Sequence, residues 1–81
     1  MIKRNEVLIK RAISSEGCQI DPACINFEKS AVEESDNCEY VVLRSSFDIL
    51  AVFFVNEWQV KILEPEYWPD YLLDEADLIE A

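Results

Sequence analysis

Asp70, Asp74 and Asp77 stand four and three residues apart, and Glu80 follows three later. On a helix those intervals place all four carboxylates on one stripe, with neighbours ~5–6 Å apart. Carboxylates grouped in this way can hold a divalent cation, dock on a cationic surface, or face solvent. The segment has no turning glycine and no EF-hand spacing of oxygen ligands, so a metal site is not expected. Docking has more in its favour. Like charges at these intervals cost an isolated helix ~0.2–0.5 kcal/mol per pair. Acids late in a helix also oppose its dipole. Aromatic side chains crowd the same stretch: Trp58, Tyr67, Trp68 and Tyr71, with Pro65 and Pro69 on either side of Trp68. They suit either of two roles, packing the last helix onto a sheet or anchoring a partner inside a charged rim. The candidate partner-binding residues are therefore Glu66, Trp68, Asp70, Tyr71, Asp74, Asp77 and Glu80.

Other chemistry finds few residues to carry it. The chain has no histidine and one glycine, Gly17, so it offers neither an imidazole base nor a glycine-rich phosphate loop. A cysteine nucleophile at Cys18 or Cys24 would lack imidazole activation. Three cysteines, Cys18, Cys24 and Cys38, are separated by five and thirteen residues, which matches no zinc knuckle. The odd number fits free thiols in a reducing compartment, packed as small hydrophobes. No enzymatic activity, cofactor or metal is expected.

Charge decides the partner class. Seventeen acidic residues against seven basic ones give a net charge of −10 over 81 residues. The cations Lys3, Arg4, Lys10 and Arg11 sit near the start, whereas seven acids and no base lie from Glu64 onward. Such a molecule repels phosphates and anionic membrane surfaces and attracts basic proteins. Direct nucleic-acid or membrane binding is thus not expected. A carboxylate row can instead take the place of phosphates in the groove of a nuclease or other nucleic-acid-binding protein. In size and charge, though in no residue pattern, the chain resembles small acidic nuclease inhibitors, including phage anti-restriction or anti-CRISPR proteins and bacterial immunity proteins. That likeness implies an inhibitor or adaptor, a phage or bacterial accessory protein. The alternative is a self-associating structural domain whose acids serve solubility.

These residues need elements to position them. With 51% hydrophobic residues and 81 residues in all, one small α+β domain over 1–81 is expected. Residues 5–15 fit helix or strand, and Glu6 and Lys10 in the favourable helical order, with Gly17 as terminator, favour a helix, the first of two expected before the sheet. Asp21 before Pro22 marks a helix start, with Ile20 and Ile25 as a staple, and the helix is expected to run from Pro22 to Glu34. Ser35, Asp36 and Asn37 then form a turn. Three strands follow at about 39–44, 49–55 and 58–63, joined near Phe47 and at Asn56–Glu57 as an antiparallel meander. The middle run, Ile49 to Val55, is apolar on both faces, so it needs cover from helices or from a second copy as a homodimer. An acidic helix over 70–81, fraying at its end, completes the expectation. The longest apolar run is too short for the ~20 residues of a spanning helix, and no signal-peptide pattern follows Met1, which points to a cytoplasmic protein.

Overall fold

The run from Ile49 onward does become a strand covered on both faces. The computed structural model describes residues 3–15 and 19–76. It is an α+β fold whose single sheet is antiparallel with strand order β1-β2-β3-β4. The strands are β1 (Ala31–Ser35), β2 (Cys38–Arg44), β3 (Ile49–Asn56) and β4 (Gln59–Ile62). Helix α1 (Arg4–Ser14) precedes them and α2 (Asp70–Glu75) follows.

Because strand side chains alternate, β2 and β3 supply two separate cores. On one face Val41, Leu43, Ala51, Phe53 and Val55 are buried together with Leu8 and Ala12 of α1 and with Ile25. On the other, Val42 and Val52 are buried against Trp68 and Leu72. Leu8 and Ala12 lie four apart, so α1 presents both to the sheet. Full burial of Leu8 contributes ~1.5–3 kcal/mol. Two helices on opposite faces therefore cover β3.

Four strands replace the expected three, and the expected helix from Pro22 to Glu34 is a single 3₁₀ turn, Pro22–Cys24. The start signal itself holds, since the Asp21 carboxylate accepts a hydrogen bond from the Ala23 amide at 2.9 Å. What overrides the helix is the turn beyond it. Asp36 and Asn37 both adopt positive φ, 52° and 66°, between the paired residues Ser35 and Cys38. Two left-handed residues in a two-residue loop make a type I′ hairpin, whose twist matches flanking strands. Residues 31–35 accordingly pair with β2 as an edge strand. The N-terminal helix count falls from two to one.

The β3–β4 turn also moves by one residue. Asn56 stays in β3 opposite Gln59, and Glu57, at φ 58°, takes the left-handed position expected of Asn56. Between β2 and β3, Leu43 pairs with Ala51 but Arg44 with Ile49, which leaves Leu50 as the extra residue of a bulge. α2 is shorter than the expected helix: six residues, with Ala76 as its cap. Residues 77–81 lie outside the described residues, as does the expected terminator Gly17. Of the cysteines, Cys24 is exposed and Cys38 half-buried, both as free thiols, so Cys24 is not the small core residue expected. Its helix never forms, and the 3₁₀ turn has no buried side chain.

Candidate protein-binding surface

The segment after β4 is held to the sheet by one aromatic side chain and one leucine. Pro65 opens a 3₁₀ turn, Pro65–Tyr67, and Trp68 closes it with its amide donating to the Pro65 carbonyl. The Trp68 indole is only 9% exposed, and its Nε1 donates to the Leu63 carbonyl at 3.3 Å. Leu72 is fully buried one helical turn later. Burial of these two side chains fixes which side of α2 faces outward. Asp70, Asp74 and Glu75 are left exposed on it.

Arg44 ties that outward side back to the sheet. Its Nε and Nη2 each lie 3.2 Å from a Glu75 carboxylate oxygen, and its Nη1 donates to Glu33 on β1. The Tyr71 hydroxyl donates to the same Glu33 carboxylate at 2.8 Å. Burial by itself works against the Arg44 charge, but the hydrogen bonds to Glu33 and Glu75 outweigh it and hold the guanidinium above its ordinary pKa. Burial, and then the bond to Glu33, pushes the Tyr71 phenol well above its ordinary value. One cation thus serves two carboxylates on two other elements. Without it, Glu33 and Glu75 would face each other as like charges.

The predicted site residues separate into four kinds. Asp70 and Asp74 are exposed on α2 and Glu66 is exposed on the turn before it, so these three share one region of chain. Tyr71 is 37% exposed but directs its hydroxyl to Glu33. Trp68 belongs to the core and supports the surface from beneath. Asp77 and Glu80 lie outside the described residues. Two residues that the spacing argument passed over belong to the region as well. Tyr67 is 68% exposed between Glu66 and the buried Trp68, and Glu64 is exposed just before the turn. An aromatic beside proline-fixed acids was the available signal, but the larger indole drew attention to Trp68.

The second acidic cluster, Glu33, Glu34, Asp36 and Glu39, is divided by the pleat. Glu33 lies on the α2 face with Arg44. Glu39 lies on the α1 face, where Arg4 grips it bidentately at 2.8 and 2.9 Å. That hydrogen bond holds the Glu39 carboxyl below its ordinary range. The two arginines of α1 are likewise engaged internally. Arg4 also donates to the Glu57 carbonyl at 3.3 Å, Arg11 donates to the Trp58 carbonyl, and both guanidiniums stand 5.9 Å from the Trp58 ring centre. Among the described residues the carboxylates in ion pairs are Glu33, Glu39 and Glu75. Glu64, Glu66, Asp70 and Asp74 are therefore left with solvent.

Among the described residues, no three His, Cys, Asp or Glu side chains are grouped to hold a metal ion, and no helix is long and apolar enough to cross a membrane. No protein-family model matches the chain, and no curated protein or solved structure is significantly similar to it.

Proposed function

We propose that the protein is a small acidic binding module, an inhibitor or adaptor that docks on a basic protein through the surface around α2. The observation that carries this reading is the unequal use of charge. Among the described residues, arginines are spent on Glu33, Glu39 and Glu75, while Glu64, Glu66, Asp70 and Asp74 stand exposed along one stretch of chain with no cation of their own. Tyr67 stands among them as an exposed aromatic, and a charged rim around an aromatic is the usual anatomy of a hot spot. A row of carboxylates offers a nuclease or other nucleic-acid-binding protein the charges it otherwise meets as phosphates. Electrostatic steering makes such association fast and strongly weakened by salt.

The test is the triple variant Glu66→Gln, Asp70→Asn, Asp74→Asn, titrated with an arginine-rich peptide at low and at high salt. Affinity should fall at least tenfold at low salt, and the salt dependence should flatten. Equal affinity and an equal salt slope would remove these carboxylates from the mechanism.

A further inference from the structure

A different part of the surface points to a different partner. β4 is an edge strand, and the hairpin register determines which of its backbone groups are free. Asn56 and Gln59 flank a two-residue loop, so they form a hydrogen-bonded pair, as do Phe54 and Lys61 two residues on. The amides and carbonyls of Val60 and Ile62 then point away from β3. Among the described residues no strand lies on that side. Natural proteins protect such an edge with charge, proline or a covering element. From Trp58 to Leu63 the chain has no proline and one charge, Lys61, and Ile62 and Trp58 are 40% and 44% exposed. In a chain of net charge −10, this is an acid-free edge with Lys61 on it and Arg11 beside it. The opposite edge, β1, carries Glu33 and Glu34, which would oppose themselves in self-pairings centred on either residue.

We propose that β4 is a homodimerisation edge, on which a second copy of this chain pairs antiparallel with Val60 opposite Val60. The register follows from the side chains. With Val60 at the twofold axis, Ile62 of each copy lies opposite Trp58 of the other, and Gln59 lies opposite Lys61. An aromatic–β-branched pair, a favourable cross-strand combination, forms on one face, and on the other the Gln59 amide oxygen can accept from the Lys61 ammonium. A shift of one pairing step in one direction would put Lys61 against Lys61, directly opposed like charges, and in the other would lose the Ile62–Trp58 pair. The sheet becomes eight strands with the two β1 edges outermost. Arg11 and Lys61 bring cations to the line of contact between two strongly anionic molecules. Self-association should therefore strengthen as salt screens the remaining repulsion, the opposite of the salt dependence of cation binding at α2.

Light scattering and sedimentation at roughly 100 µM, a range that detects micromolar dissociation constants, test this with three variants. The wild-type chain should show twice the monomer mass, with more dimer at higher salt. Ile62→Pro removes an outward amide and should give a monomer with the wild-type circular dichroism. Gln59→Glu should tighten the dimer about threefold to tenfold by facing Lys61, and Gln59→Lys should loosen it by a similar factor. These exposed Gln59 substitutions decide the matter should Ile62→Pro fail to fold. A monomer at every salt concentration, or a dimer indifferent to residue 59, would overturn the proposal. Asp70→Asn with Asp74→Asn lies on the other side of the sheet and lowers the repulsion between copies, so it should not weaken the dimer, and loss of peptide binding and loss of the dimer are separable outcomes.

Discussion

The two faces of the sheet are built from opposite materials. On one, the eleven-residue α1 seals a core of eight buried residues, and its arginines are bound to Glu39 and to backbone carbonyls. On the other, the six-residue α2 covers a core of four, and a single arginine secures it. The first face is stable through apolar area, and its arginines are satisfied internally. The second has less area and keeps free carboxylates outside. A face that is thinly held and carries unspent charge is the natural place for a partner, because binding energy there offsets repulsion that the fold itself leaves in place.

The largest effect should come from emptying the larger core. Leu8→Ala is expected to cost ~2–5 kcal/mol, much of the margin of a domain this small. Leu72→Ala removes a side chain equally buried, but its loss should loosen α2 while the sheet and α1 remain. Hydrogen exchange measures this directly: amides of α2 should lose protection in Leu72→Ala while those of β2 and β3 keep theirs. Equal collapse in both variants would erase the distinction between the faces.

A middle-sized effect is expected at the arginine. Arg44→Met leaves Glu33 and Glu75 side by side with no cation, for a cost of ~1–2 kcal/mol after discounting for partial exposure. Thermal unfolding should show it, and raised salt should recover part of it. The smallest effect concerns Glu39. Its carboxyl is held below its ordinary value near 4.5 by Arg4, so its contribution is present above that pH and is lost as pH falls through the folded-state value. Glu39→Gln should thus lower Tm at neutral pH, and the gap from wild type should close on acidification. A gap independent of pH would mean that Glu39 acts by packing and not by charge.

Particular residues explain what the sequence disclosed. β2, β3 and most of β4 were legible because β-branched and aromatic residues run continuously there, and a doubly apolar β3 demands cover on both sides. β1 was hidden because Asp21 and Pro22 give a true cap signal, and Ala31 to Glu34 fits either period. The deciding evidence was Asp36–Asn37, whose left-handed pair commits residues 31–35 to a hairpin, and Asn37 followed by no glycine disguised it. At the candidate surface, the exposed acids of α2 were readable from their spacing. Trp68 inside and Tyr67 outside were not, because their exposure depends on the turn at Pro65. Nor was Arg44, whose partners on β1 and α2 are joined only by the tertiary fold.

The central claim concerns where a cationic partner lands. Amide chemical shifts of the labelled protein, followed while an arginine-rich peptide is added at low salt, locate that contact residue by residue. The account predicts changes concentrated from Glu64 to Ala76, with the α1 face silent and the changes reversed by salt. Changes spread evenly over every exposed acid, Asp21, Glu28 and Glu57 included, would contradict it.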